Sequence, residues 1–304
     1  MSRDRGFVLV HALLIVAALS AAAVFLLARA DGGRLRLEAR QGTDQLESYL
    51  DAFEALARTR LDQDALAGAL DHSGEAWARP DLSVEVDRGL VSGRLRDEQG
   101  LFNLNWLANP EDTAAQEAFS RLSATLGISS TTVEAIRAFL RPGGPELRAA
   151  YSRQSPPLDP VGGAVLLMEQ LTDIPAIAPR DLQRLRAAAT ALPGDSRINV
   201  NTASRALLAA FLPDLSPAMV DRLMQARRTS PFASLEDFTT LVETLQGTAL
   251  EDDFGQDRFA VGSDWFGLQV EAGLLGHTAQ RAALLQRNPR PTGTLVRWRL
   301  STYD

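Results

Sequence analysis

The feature that most constrains this chain is the apolar run from Phe7 to Ala28, in which His11 is the one ionisable residue and Ser20 the one other polar residue. As a helix rising 1.5 Å per residue, the run is about 33 Å long, enough to cross the hydrocarbon core of a bilayer. Whatever follows is therefore expected to hang from a membrane helix. The remainder of the 304 residues leaves room for one large or two smaller domains.

Three readings of the N-terminus are open on its residues. Ala28-Arg29-Ala30 has the small-x-small form of a signal peptidase site, but the run exceeds the roughly 7–15 residues of an ordinary signal-peptide core. A plain signal anchor fits the length. The third reading uses the order of residues at the start, where a short charged leader ends in Gly6 and Phe7 heads the apolar stretch. That order resembles the class III signal of type IV pilins and pseudopilins. The resemblance implies a cut between Gly6 and Phe7 by a membrane-embedded prepilin peptidase, and N-methylation of Phe7. In most members of that family the fifth mature residue is a glutamate, whereas here it is His11. A polar group at membrane depth is costly enough to be read as functional, here in assembly.

Beyond the anchor, Gly32-Gly33 is a candidate kink, since each Gly costs about 1 kcal/mol against Ala inside a helix. Helical spacing resumes through Leu35, Leu46, Leu50, Phe53, Ala57 and Leu61, with charged residues on the other faces. From Leu82 the period changes to two. Leu82, Val84 and Val86, then Val91, Gly93 and Leu95, predict a hairpin, and Leu101–Leu107 reads as a continuation of the sheet. Asn109-Pro110 is a cap and first-turn pair that starts a helical block. Its predicted parts are helices through Phe119 and Ile136, a Pro- and Gly-rich loop over 142–163, and helices at 164–171 and 179–191. Next comes Arg197-Ile198-Asn199-Val200-Asn201-Thr202-Ala203, then two apolar helices joined by Pro213-Asp214-Leu215-Ser216-Pro217, in a pattern resembling a helix-hairpin-helix module. Three alternating stretches at 266–274, 279–287 and 296–300 predict a terminal antiparallel meander.

Charge and motif content narrow the function. All 31 basic residues are Arg, the 38 acidic ones outnumber them, and the hairpin between the two helices has two prolines and no glycine. Arg and acidic residues balance between 197 and 243, so no basic stripe is present to release phosphate counterions. Nucleic-acid binding is therefore not expected. There is no Cys, and no nucleophile elbow, zincin motif, P-loop or dinucleotide fingerprint, so enzymatic chemistry is not expected either. The acidic run 251–257 offers Asp252, Asp253 and Asp257 as weak candidates for calcium, although it lacks EF-hand spacing and a solvated acidic loop is the better reading.

His11 in place of the glutamate, together with Asp97-Glu98-Gln99-Gly100-Leu101-Phe102-Asn103-Leu104-Asn105, the 197–203 stretch, Ser230–Phe238 and Ser263-Asp264-Trp265-Phe266, resembles the type II secretion minor pseudopilin K family over nearly the whole chain. The resemblance implies an α+β fold, with a pilin-like long N-terminal helix plus an antiparallel sheet and a large inserted all-helical domain. The expected divisions are a leader (1–6), a transmembrane helix (7–28), a spine helix with the first strands (29–108), the insert (109–247) and the last strands (248–304). It also implies a single-pass protein of the bacterial inner membrane with its body in the periplasm. Its place would be the tip of the pseudopilus with minor pseudopilins I and J, supporting export of folded proteins. The alternative is a membrane-anchored helix-hairpin-helix protein that binds DNA in competence or uptake; an anchored periplasmic hydrolase has no residues in its favour.

Overall fold

In a computed structural model, which describes residues 3–79, 82–87, 89–250 and 257–304, the chain opens with one uninterrupted helix, α1 (Arg3–Ala67), of 65 residues. At 1.5 Å per residue it is about 97 Å long. The helix runs without interruption through Gly32-Gly33, and a methyl group at Gly33 or Gly42 would meet nothing within 4 Å. Over His11–Arg34 the helix has a mean hydropathy of 2.4, and no part of it is covered by the rest of the protein.

The second half of α1 buries Leu46, Leu50, Phe53, Ala57 and Leu61, the predicted stripe at helical spacing. These side chains face a sheet built from β1 (Leu82–Val86) and β2 (Gly89–Asp97) at the start of the body and from three strands at the end of the chain. Gly93 of β2 is glycine because the ring of Phe53 occupies the space where its Cβ would lie, 2.6 Å away.

After β2 the chain leaves the sheet for 167 residues. β3 (Phe102–Asn103) is two residues long and lies between 3-10 turns at Glu98–Gly100 and Leu104–Ala108, so the expected strand over 101–107 is corrected. The alternation there serves side-chain caps. Asn103 Oδ1 accepts from the Asn105 and Leu192 backbone N–H groups, and Asn105 Nδ2 donates to the carbonyls of Val165 and Leu192. Helices α2 (Thr113–Leu126), α3 (Ser130–Leu140), α4 (Ala149–Ser152) and α5 (Pro179–Ala188) follow, and the expected helix at 164–171 is instead a 3-10 turn at Met168–Asp173. β4 (Ala189–Thr190) pairs in parallel with β3, cutting short the helix expected to reach 191. β5 (Ile198–Asn199), α6 (Arg205–Phe211), α7 (Pro217–Thr229), α8 (Leu235–Gln246) and β6 (Phe259–Ala260) complete the excursion, with β5 and β6 again parallel. Two-residue strands thus stitch the ends of a block that is otherwise helical.

The sheet then resumes with β7 (Trp265–Leu274), β8 (His277–Arg287) and β9 (Thr294–Tyr303), the predicted meander. Its order is β1-β2-β7-β8-β9, antiparallel throughout, so the block enters between two neighbouring strands, β2 and β7. The α1–sheet core and the core of the block are separate clusters. The second draws on Phe102, Leu104, Trp106 and Phe259 as well as on the helices.

Candidate functional site

Among the described residues no pocket gathers those singled out in the sequence; they lie along the spine and at the joint where the block meets it. Gly6 and Phe7 have helical backbone within α1, and their side chains lie outside the described residues. His11 is on the exposed surface of the same helix, a turn further on. Asp252 and Asp253 lie outside the described residues, and Asp257 is an exposed turn residue.

The joint is built from a second asparagine pair. Asn199 Oδ1 accepts from the Asn201 backbone, as Asn103 does from Asn105, and Asn201 exchanges bonds with both the N–H and the carbonyl of Phe232. The remaining amide of Asn199 donates to the Asp71 carbonyl, to Asp97 Oδ2 at 2.9 Å and to Ser263 Oγ at 2.9 Å. Asp97, the last residue of β2, also accepts from Thr202 Oγ1 at 2.5 Å, Ser263 Oγ at 2.7 Å and the Gln99 N–H at 2.8 Å. One carboxyl therefore holds the end of β2, the asparagine stretch and the approach to β7 together. Burial raises its pKa to about 6 despite those bonds, because removing the charged form from water costs more than neutral donors return.

Beside it, Arg287 of β8 stacks on Phe266 and donates to Asp64 of α1 at 3.0 Å, to the Ser263 carbonyl at 2.6 Å and to Asp71. Asp64, Asp71 and Glu75 bring carboxylate oxygens within 4.8 Å of one another. Burial, helped by Glu75 and Asp71, raises Asp64 to about 6, and burial also raises Asp71. This node was missed in the sequence, since Arg287 is more than 200 residues from the carboxylates of Asp64 and Asp71 that it meets. The signal in the sequence was an Arg at an inward position of β8, whose inward face otherwise carries Ala279, Ala283 and Leu285 beside Arg281. Arg281 repeats that signal on β8: at 2% exposure it donates to Asp51 at 2.6 Å, Glu47 at 2.9 Å and Glu54 at 3.4 Å, all on α1.

Two arginines of the helix-hairpin-helix segment are used internally. Arg227 donates to the carbonyls of Val200 and Ala203, at 2.8 and 2.7 Å, and Arg205 pairs with Asp221 at 2.5 Å. Ser216 caps α7 where phosphate-binding hairpins would offer bare amides.

Residues 100–194 and 198–261 match two family profiles, both described as type II secretion system protein K. Relatives named type II secretion system protein K are 29% identical over 93% of this chain in Pseudomonas aeruginosa, and 28% identical over 94% in Pectobacterium carotovorum. They are covered over 89% and 96% of their own lengths. One from Aeromonas hydrophila is 30% identical over 66% of this chain and 67% of its own. The fold is that of a chain in the crystal structure of the GspK-GspI-GspJ complex from the enterotoxigenic Escherichia coli type 2 secretion system. The TM-score is 0.75, at 22% identity, covering 88% of this chain and 99% of that one. An apolar helix continuing into a spine under an antiparallel sheet defines a pilin-like, membrane-anchored subunit, here a minor pseudopilin of type II secretion. The chain belongs to the type II secretion system protein K family.

Proposed function

We propose that this chain caps the pseudopilus as a structural subunit, with its body in the periplasm, and so supports export of folded proteins across the outer membrane. The observation that carries the reading is the block inserted between β2 and β7 and bonded to the end of β2 at Asp97; such bulk beside a thin spine would clash with a copy stacked above. His11 adds to it. In a filament whose subunits neutralise one another's N-terminal amines inside the bilayer, a chain with imidazole at the fifth mature position supplies no carboxylate to a neighbour, and an unpaired ion there is costly. Minor pseudopilins I and J are the proposed neighbours, since the solved complex that shares the fold unites GspK with GspI and GspJ.

Processing between Gly6 and Phe7 belongs to the same reading. Replacing Gly6 with Val is expected to leave the leader uncut, measured by intact mass in membranes; a mature N-terminus at Asp31 would instead establish signal-peptidase cleavage. For the tip, single cysteines in this Cys-free chain are expected to give no self-crosslinked ladder. A ladder of regularly spaced copies would sink the assignment, and its appearance after changing His11 to Glu and removing 109–247 would identify these two features as the restraint.

A further inference from the structure

Where α1 enters the body, Gln41, Gln45 and Ser48 line one wall of a groove of about 1190 Å3, and the turns of the β1–β2 and β7–β8 hairpins line the other. Its apolar part is Tyr49, Val86 and Leu274, and Leu275 stands at its lip with 76% of its surface exposed. Leu275 and Gly276 form the two-residue loop of the β7–β8 hairpin with φ of 50° and 89°. Loops with both φ positive favour Asn-Gly, and a leucine there is strained as well as exposed. The chain by itself gains nothing from it.

The groove is also charged. Asp44, Glu85 and Asp87 line it, all exposed, and among the described residues none of the three is in an ion pair. Its first residue, Gln41, comes seven residues after Arg34, the far end of the candidate membrane span, which is about 10 Å further along the helix. An occupant must therefore stand beside α1 just above the membrane. A lipid surface is disfavoured, because the carboxylates would face anionic headgroups. A symmetric copy is disfavoured too, since at that height it presents the same acidic stretch, with its basic residues Arg34, Arg36 and Arg40 lying lower.

We propose that this groove seats the juxtamembrane helix of a different membrane-anchored subunit, one that carries Arg or Lys at helical spacing among Leu, Ile or Val. The proposal rests on the pseudopilin reading for where such a partner comes from. Leu275 would pack on the apolar face of that helix, and the three carboxylates would meet its cations.

The test uses the full chain in inner membranes with minor pseudopilins I and J of the same system. Ser48→Cys supplies the chain's single thiol, and each partner carries one cysteine in the second turn beyond its own apolar span. A short bis-maleimide is expected to join Ser48→Cys to one of them. The triple change Asp44→Lys, Glu85→Lys, Asp87→Lys and the separate change Leu275→Asn are each expected to lower the yield about fivefold or more. Leu275→Asn should at the same time raise the Tm of the purified full chain in detergent, so that its effect on crosslinking is not a folding defect. Unchanged yields in both variants, with I and J still copurifying, would overturn the groove and leave the pseudopilin reading standing. Failure of I and J to copurify at all would overturn both. Crosslinking only to a second copy, or quenching of a fluorophore at Ser48→Cys by nitroxide lipid in the absence of partners, would assign the groove to another occupant and overturn the proposal.

Discussion

Between α1 and the sheet the interior carries formal charges, with Arg281 set among Glu47, Asp51 and Glu54, and Arg287 between Asp64 and Asp71. Inside the inserted block it is aromatic. Phe102, Phe119, Phe211, Phe259, Phe238 and Phe232 form a continuous chain of ring contacts at 5.2–6.1 Å, and asparagine amides satisfy the loop backbone. Where the block buries a carboxylate, at Asp181, it surrounds it with the hydroxyls of Thr132 and Ser129 at 2.8 and 2.9 Å. The difference follows from geometry. A single helix lying across an open sheet has water along both edges of the seam, so long arginines can reach across it, whereas a block of helices encloses its centre and can keep it apolar. The two regions should accordingly respond to different perturbations.

The largest effect is expected from emptying the aromatic centre. Phe119→Ala or Phe238→Ala, each at a fully buried ring, should cost about 3–5 kcal/mol in denaturant unfolding. The loss should be the same in low and high salt. Arg281→Ala attacks the other core and should cost about 2 kcal/mol, less than a fully enclosed pair would lose, because Glu47 and Asp51 keep roughly half their side-chain surface in water. Equal salt dependence for the two variants would erase the distinction.

Acidity should separate the regions in sign. Asp97 and Asp64 have folded pKa values of about 6 against 3.8, so the folded protein holds their protons more tightly than the unfolded chain does. Their contribution is fully present below pH 3.8 and is lost as pH rises through about 6. Asp181 is shifted the other way, downward by its hydroxyl donors, so its contribution is present above pH 3.8 and is lost as pH falls through its lowered value. Amide exchange from pH 7 to 5 should therefore show the Asp97 joint tightening, with Asp97→Asn flattening that response. A joint that loosens over that range would contradict the assignment.

The spine and the meander were legible because their burial is one-sided, so periods of 3.6 and 2 survive in the residues. The stretch Asn103-Leu104-Asn105 has the same period of two for another reason, Asn103 folding back on the Asn105 backbone while Asn105 reaches the distant Val165 and Leu192 carbonyls, and alternation alone does not separate that from a strand. The joint was not legible: Asp71, Asp97, Asn199 and Ser263 meet only once the sheet has closed over the insertion. Of the asparagines, Asn201→Ala should cost about 1–3 kcal/mol through the unpaired Phe232 backbone groups it leaves, and Asn105→Ala about the same, both readable by thermal melting. A smaller effect still is expected of calcium at Asp252, Asp253 and Asp257. A Tm of the full chain in detergent that is identical in millimolar calcium and in chelator would dispose of that site.

The central claim is that an insertion fixed to one side of the spine makes this subunit terminal. Counting it tests that most directly: quantitative mass spectrometry of isolated pseudopili fractionated by length, with this chain measured against the most abundant filament subunit. The account predicts a copy number that stays at one while the abundant subunit rises with length. A copy number that grows in proportion to length would place the chain within the shaft and contradict it.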